Sequence, residues 1–268
     1  MSYARNAGIC KARAPIVAFL DDDVEAHKDW IINIKQAFET YPEAAYVGGK
    51  VLPLWAGSPP KWVRPNLAPL ALQDHGSVAK EAGPSWPVCL VSANLACRRE
   101  VFDTVGPFDP ATQRVKNSIG SMEDHEWQMR VWSAGMKGMY VPEMIVDAPV
   151  SKERLTRRYH RRWHFGHGSF RSVLRDAASE RSAWRWLDVP AHVYRSTGVH
   201  LLNTVKFWAQ GDGYASFLEE CYFLGGLGFI WNRWTHLRGA AAKGVGSKRV
   251  QPQPAGHTQS LGLTSSRR

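Results

Sequence analysis

A short apolar run ends in three consecutive aspartates near the start of the chain. Pro15–Leu20 reads PIVAFL, and Asp21, Asp22 and Asp23 follow it directly. An apolar run of this length bounded by polar residues predicts a buried parallel strand. Ligands of open α/β sheets bind just beyond the carboxyl ends of strands, so these carboxylates are candidates for holding a hard divalent cation. A solvated acidic turn that caps the next helix is the alternative.

The rest of the N-terminal part alternates between helix and strand patterns, which predicts the α/β fold class. A helix with Trp30, Ile31, Ile34 and Phe38 on its apolar face should follow the aspartates. The later predicted elements are a strand at Ala45–Val51, a long loop at Pro53–Pro87, a strand at Val88–Ala96, a helix at Arg99–Val105, a helix that begins near Glu123 and ends at Gly135, and a strand at Met139–Val146 broken by Pro142.

Charge divides the chain near residue 150. Residues 1–150 carry 15 Lys and Arg against 17 Asp and Glu, whereas residues 151–268 carry 19 against 7. The basic second part favours an anionic partner: a membrane surface, a nucleic acid or a phosphorylated ligand. We predict an α/β domain over 1–150, a basic helical region over 151–238 and a disordered tail over 239–268.

Cysteine spacing and the first residues predict a cytoplasmic protein. The four cysteines have no CxxC spacing, which indicates neither a zinc site nor a disulfide framework. Met1–Lys11 lacks the apolar core of a signal peptide.

A second acidic cluster, Glu123–Glu126, stands where a helix is predicted to begin. Carboxylates at a helix N-terminus are stabilised in their ionised form by the free N–H groups and the helix dipole. An ionised carboxylate beside a bound substrate can accept a proton from an attacking hydroxyl. Simple capping of the helix is the alternative interpretation.

Six segments in the same order resemble the family 2 glycosyltransferases, which are inverting enzymes of the GT-A fold. The resemblance covers roughly residues 2–170, with the acidic clusters as the DXD and ED segments of that family. The segments are SYARNAGI (Ser2–Ile9), AFLDDDVEAHKDWI (Ala18–Ile31), VGGKVLPLW (Val47–Trp55), SANLACRREVFDTVGPFDP (Ser92–Pro110), MEDHEWQMRVWSAG (Met122–Gly135) and YVPEMIV (Tyr140–Val146).

The resemblance implies how the first acidic cluster binds a nucleotide-sugar donor. Asp21 would lie near the ribose, and Asp22 would contribute less directly to the same site. Asp23, together with Asp21, would ligate Mg²⁺ or Mn²⁺ that bridges the diphosphate. Arg5 and Asn6 would position the donor.

The resemblance also implies the chemistry. Asp124 would be the general base that deprotonates the acceptor hydroxyl, Glu123 would support it, and Asn94 would approach the donor sugar or the acceptor. The implied activity is metal-dependent inverting glycosyl transfer to a glycan or lipid-linked hydroxyl, in surface polysaccharide or glycoconjugate synthesis.

Two departures from the family pattern are expected to matter. In the family, a strand–helix–strand unit precedes the segment that begins here at Ser2, so we expect an N-terminally truncated GT-A-like sheet with an exposed edge and an incomplete donor site. Many members carry a metal-site histidine after the strand like Tyr140–Val146, where this chain has Asp147, which is a candidate replacement. His160, His164 and His167 are expected to be core or surface residues rather than ligands.

The basic region suggests an attachment surface. Leu155, Tyr159 and Trp163 form an apolar stripe on an arginine-rich helix, which suits either an anionic membrane surface or packing on the catalytic domain, where the arginines would hold donor phosphates. Cys221–Asn232 is apolar but shorter than the roughly 20 residues that span a bilayer. We therefore predict peripheral attachment at the inner face of the cell membrane, with no transmembrane anchor.

Two other functions compete with the enzyme hypothesis. A truncated transferase remnant that only binds a partner would explain the missing unit and histidine. Nucleic-acid binding would explain the charge, but it gives the Asp21–Asp23 triplet no role, and we expect no nucleic-acid partner.

Overall fold

The computed structural model describes residues 2–63, 67–110, 122–175 and 179–242, with side chains up to residue 237. The described helices are α1 (Ser2–Lys11), α2 (Trp30–Thr40), α3 (Arg99–Val105), α4 (Glu123–Ser133), α5 (Arg157–Leu174), α6 (Ala191–Ala209) and α7 (Gly213–Ala242). The described strands are β1 (Ile16–Leu20), β2 (Glu25–Ala26), β3 (Ala44–Trp55), β4 (Lys80–Ala82), β5 (Asn94–Arg98), β6 (Lys137–Val150), β7 (Arg185–Trp186) and β8 (Val189–Pro190).

One mixed sheet organises the N-terminal part. Its strand order is β1-β5-β3-β6-β2, and β4 also pairs with β6. Only β3 and β6 run parallel; the other pairs are antiparallel. The predicted α/β class, a mixed sheet flanked by helices with a mainly helical C-terminal region, is confirmed.

The prediction that the strand before the aspartates is parallel and buried is wrong. β1 pairs antiparallel with β5, with Ile16 opposite Arg98, and it ends the strand order. Within β1 only Val17 and Phe19 are buried. An apolar run indicates that a strand is buried, but it does not indicate whether the neighbouring strand is parallel or antiparallel. The direction of β1 could therefore not be read from this run.

The parallel pair β3 and β6 is longer than predicted and continues through Pro142. The pairing shifts from Gly48 opposite Tyr140 to Lys50 opposite Ile145, so β6 bulges over the intervening residues. Proline is tolerated at such a bulge because it needs no ladder hydrogen bond there. Gly49 faces the bulge, where an added Cβ would stand 1.9 Å from the Met144 carbonyl oxygen.

Apolar side chains cover both faces of the sheet. On one side α2 buries Trp30, Ile34 and Phe38, whereas Ile31 is 73% exposed and does not belong to the predicted apolar face. On the other side Trp127 of α4 is fully buried. The helices at Arg99–Val105 and from Glu123 are confirmed. The strand predicted at Val88–Ala96 instead spans Asn94–Arg98, and β4 lies within the predicted long loop.

The C-terminal region is built from helices in close contact. α7 packs against both α5 and α6. Glycines allow this approach: a Cβ on Gly168 would stand 1.9 Å from the Gly225 carbonyl oxygen. The apolar stripe of α5 faces inward, since Leu155 and Tyr159 pack against the sheet's core and Tyr159 Oη donates to the Pro69 carbonyl at 3.0 Å. The stripe is therefore not available to a membrane.

The last helix extends to Ala242 and so includes the first four residues of the predicted tail, 239–242. Residues 243–268 of that tail lie outside the described residues. None of the described helices combines the length and apolar character required to cross a bilayer.

The histidines of α5 are core residues, and they predict acid sensitivity. Burial lowers the pKa of His160 and His164 to about 4 and that of His167 to about 3. In the unfolded chain a histidine titrates near about 6.5, so the unfolded state binds more protons between the two values. The free energy of unfolding should therefore fall as pH falls from about 6.5 to about 4.

His164→Phe, which keeps an aromatic ring beside Trp163 and Tyr222, should flatten this dependence by about 2–3 kcal/mol across that window. Urea unfolding at a series of pH values measures it. His236→Phe, at an exposed position of α7, is the control. An unchanged slope in the His164 variant would contradict the prediction.

Candidate active site

The aspartate triplet lies directly beyond β1, as predicted. Asp21 is partly buried, whereas Asp22 and Asp23 are exposed. Burial raises the pKa of Asp21, and the neighbouring Arg5 guanidinium opposes that shift. Arg5 Nη2 donates to Asp21 Oδ1 at 3.3 Å. The first carboxylate of the triplet is therefore already ion-paired within the protein.

Arg5 joins the two acidic clusters. Its Nη1 lies 3.1 Å from Asp124 Oδ1 and 3.4 Å from Glu123 Oε1, while Nη2 reaches Asp21. The Arg5 side chain is only 9% exposed. Helix α1 thus places one guanidinium among three carboxylates that are 16 to 119 residues away in sequence. The sequence predicted a donor-positioning role for Arg5; the structure shows a counter-ion between the clusters.

Asp124 stands in the first turn of α4 with both carboxylate oxygens engaged. Oδ1 accepts from Arg5, and Oδ2 accepts from the Ser92 backbone N–H at 3.1 Å and from Ser92 Oγ at 2.9 Å. These bonds fix the orientation of the carboxylate. Sequence reasoning missed Ser92. It opens one of the segments that resemble the family, but no spacing rule connects it with Asp124.

Glu123 lies beside this group and is almost fully buried, with 2% of its side chain exposed. Its contact with Arg5 is the longest of the three ion pairs. A buried carboxylate requires a compensating charge, and Arg5 supplies one to Glu123.

The structure does not place Asn94 in contact with a donor. Its side chain is fully buried, accepts from Trp30 Nε1 at 2.8 Å, and donates to the carbonyls of Lys50 and Met144 at 2.8 Å each. These bonds join α2, β3 and β6, which is a structural role. The predicted contact is corrected because every polar atom of the side chain is committed inside the protein.

Asn6 is likewise committed to the protein backbone. Its Nδ2 donates to the Phe108 carbonyl at 2.8 Å, and its Oδ1 accepts from the Phe108 N–H at 3.0 Å. This pair ties α1 to the segment after α3 in place of the predicted donor contact. Asn6 therefore supports the position of its neighbour Arg5.

The aspartates suit a cation that is shared with a substrate. Among the described residues, no three His, Cys, Asp or Glu side chains lie close enough to hold a metal ion. Mg²⁺ commonly takes one or two carboxylates and completes its shell with phosphate oxygens and water. The exposed Asp23 and the partly exposed Asp21 fit that set of ligands. Within the part of the chain that the structure describes, no metal site is made of protein ligands alone.

Asp147 lies beside the strand that follows the triplet. The antiparallel pairing of β2 and β6 sets Glu25 opposite Asp147, and Asp147 Oδ2 lies 2.9 Å from His27 Nε2. The sequence analysis did not single out His27. Replacement of the family's histidine by Asp147 stays a prediction.

Comparison with known proteins identifies a family that resembles the first part of the chain. Residues 1–106 match the family described as Glycosyl transferase family 2. The chain is 31% identical over 117 residues to a glucosyl-dolichyl phosphate glucuronosyltransferase of Haloferax volcanii, covering 42% of this chain and 36% of that protein. It is 26% identical over 192 residues to the succinoglycan biosynthesis protein ExoM of Rhizobium meliloti, covering 69% of this chain and 56% of that protein.

A solved structure of GalNAc-T7 with UDP, GalNAc and Mn²⁺ is 16% identical, with a TM-score of 0.42 and coverage of 68% of this chain and 39% of that one. Residues 1–106 are thus similar to glycosyl transferase family 2, and the resemblance drawn from the motifs is confirmed over that range. The chain spans about a third to just over half of the length of the two curated relatives above.

Proposed function

We propose that this protein is a metal-dependent inverting glycosyltransferase, which transfers a sugar from a nucleotide-sugar donor to a hydroxyl acceptor. One observation carries the proposal: Arg5 joins Asp21 at the end of β1 to Asp124 at the start of α4. A donor-side carboxylate and a candidate base thus lie on either side of one guanidinium. Helix caps alone would give no reason for the two clusters to meet.

The chemistry follows from the orientation of Asp124. The acceptor oxygen attacks the anomeric carbon, the bond from that carbon to the phosphate oxygen breaks, and the nucleoside diphosphate leaves. Asp124 takes the hydroxyl proton, and Ser92 and Arg5 hold its carboxylate in place for that transfer. Asp21 and Asp23 would hold the Mg²⁺ or Mn²⁺, which neutralises charge on the leaving diphosphate. Attack opposite the leaving group inverts the anomeric centre without a covalent intermediate.

We propose a glycan or lipid-linked acceptor in surface polysaccharide or glycoconjugate synthesis. Support comes from the relatives, one named for succinoglycan biosynthesis and one for a glucosyl-dolichyl phosphate substrate. A cytoplasmic location with peripheral attachment to the inner face of the cell membrane fits acceptors of that class.

A non-catalytic binding protein is the second candidate. It is favoured by the commitment of Asn6 and Asn94 to internal hydrogen bonds, which removes two expected donor contacts. The two candidate functions differ in catalysis. A binding protein can bind a nucleotide-sugar but does not cleave the bond between the sugar and the nucleotide.

Donor titration tests the proposal. UDP- and GDP-sugars are titrated calorimetrically against the full chain with Mn²⁺, and we expect binding of one donor that weakens by about tenfold or more in Asp23→Asn. Asp103→Asn, at an exposed position of α3, is the matched control and should bind as the parent does. Absence of both donor binding and donor hydrolysis in the parent chain would refute the enzyme hypothesis.

A further inference from the structure

The C-terminal half of helix α6 turns polar side chains toward α7, whereas Val193 and Tyr194 in its N-terminal half pack against Phe229, Ile230 and Trp234 of α7. His200 Nδ1 lies 2.7 Å from Glu219 Oε2 of α7, and Asn203 Nδ2 donates to the same oxygen at 3.2 Å. Ser216 Oγ of α7 donates to the Thr204 carbonyl at 3.0 Å. The interface between α6 and α7 is therefore held largely by hydrogen bonds along this stretch.

The outer side of α6 is apolar and exposed. Leu202 is 71% exposed and Trp208 is 74% exposed. Val199, Leu201 and Val205 are exposed on the same outer half of the helix. A helix on a water-facing surface normally shows the reverse arrangement, with its apolar stripe toward the core. Large apolar side chains grouped this way indicate a surface that is covered by something apolar.

Packing between α6 and α7 supports the same conclusion. A Cβ on Gly226 of α7 would stand 2.1 Å from Thr197 Oγ1 of α6, so the two helices approach closely at small residues. Helices in an apolar medium associate through small residues and interhelical hydrogen bonds, because burial of apolar side chains gives no advantage there. The pair has both features.

The charges on α6 select the covering partner. The helix has no Asp or Glu, and its exposed Arg195 and Lys206 lie on the same outer half as the apolar side chains. A second copy docked on this face would bring its own Arg195 and Lys206 against them, without an acidic residue of α6 to compensate. An anionic lipid surface offers the opposite charge and an apolar interior at the depth of a helix lying in its plane.

We propose that the outer face of α6 inserts into the interface of an anionic lipid bilayer and attaches the protein to it. This inference deepens the peripheral attachment proposed above and rests on it. It moves the contact away from the α5 stripe and from Cys221–Asn232, to a surface made by Leu202, Val205 and Trp208. Arg195 and Lys206 would then meet lipid phosphates.

Vesicle binding tests the surface. The full chain is sedimented with vesicles of phosphatidylcholine containing phosphatidylglycerol, and the partition coefficient is measured. The double variant Leu202→Gln with Trp208→Gln should lower it on the order of a hundredfold. The matched control is Ile31→Gln with Ile32→Gln, which removes two exposed isoleucines from α2 and should leave partitioning unchanged.

A charge variant tests the lipid class. Arg195→Gln with Lys206→Gln should weaken binding to anionic vesicles by roughly thirtyfold and leave binding to pure phosphatidylcholine unchanged. A chain ending at Ala242 should still bind, because the contact belongs to α6 and not to residues 243–268.

Three results would overturn the membrane inference. The enzyme proposal is tested separately, by donor titration. The first result is equal partitioning of the α6 and α2 double variants, with wild-type binding intact. Another is loss of binding only in the chain ending at Ala242. The third is a wild-type dimer in sedimentation velocity that becomes a monomer in the α6 double variant, when neither protein binds vesicles.

Discussion

Asp124→Asn should abolish transfer, with kcat reduced on the order of 1,000-fold, while the donor still binds. The amide has the shape of the carboxylate but cannot accept the acceptor's proton. The donor is expected to contact the Asp21–Asp23 end of β1, so donor binding should survive the substitution. Single-turnover transfer from the donor identified by titration measures the rate, and calorimetry measures donor binding.

Ser92→Ala is the companion variant for the same base. It removes the 2.9 Å bond from Ser92 Oγ to Asp124 Oδ2 but leaves the 3.1 Å bond from the backbone N–H. We expect a smaller loss of kcat, about tenfold, because the carboxylate keeps its charge and part of its orientation. If Asp124→Asn instead loses donor binding together with transfer, Asp124 is a donor ligand and not the base.

Arg5→Leu should lower the free energy of unfolding by about 3–5 kcal/mol, the largest stability effect expected in the chain. The substitution leaves Glu123, Asp124 and Asp21 as neighbouring carboxylates without their shared counter-ion, and Glu123 is almost fully buried. Urea unfolding monitored by circular dichroism gives the value.

Two matched variants separate charge from packing in this experiment. Arg5→Lys keeps a cation but loses the second N–H arm, so it should recover part of the loss. Arg13→Leu, at an exposed position shortly after α1, should change stability by less than about 0.5 kcal/mol. An Arg5→Leu protein as stable as the Arg13→Leu protein would mean that the carboxylates do not depend on the guanidinium.

Periodicity and helix-end residues predicted the elements that depend on local sequence. The helix from Trp30, the helix at Arg99–Val105 before Gly106 and the helix from Glu123 were all found. The direction of β1 and the continuation of β6 through Pro142 could not be predicted, because pairing and bulges are set by strands distant in the chain. The same limit explains the shifted bounds of β5.

The carboxylates of the candidate site were predicted from the sequence, but the ion pairs that join them were not. Resemblance identified Asp21 and Asp124, yet nothing local to Arg5 indicates that it would lie between them, 119 residues from Asp124. For Asn94 the motif predicted the residue's importance but not its contacts. Its motif suggested a ligand contact, whereas burial and three hydrogen bonds make it a connector within the fold.

The proposed attachment surface on α6 was not predicted, because helical periodicity does not give the orientation of an apolar face in the folded protein. The Leu155, Tyr159 and Trp163 stripe and the apolar Cys221–Asn232 segment were selected because they are locally apolar. Helical spacing tells which residues share a face, but only the tertiary structure tells whether that face points to protein or outward. α6 was not selected, although it has more large apolar side chains exposed than any other described helix.

The single guanidinium between the clusters makes the two halves of the candidate site thermodynamically dependent on each other. A donor diphosphate that attracts Arg5 takes it from Asp124 as well as from Asp21. Linkage requires that an acceptor bound at Asp124 change donor affinity by the same factor as the donor changes acceptor affinity.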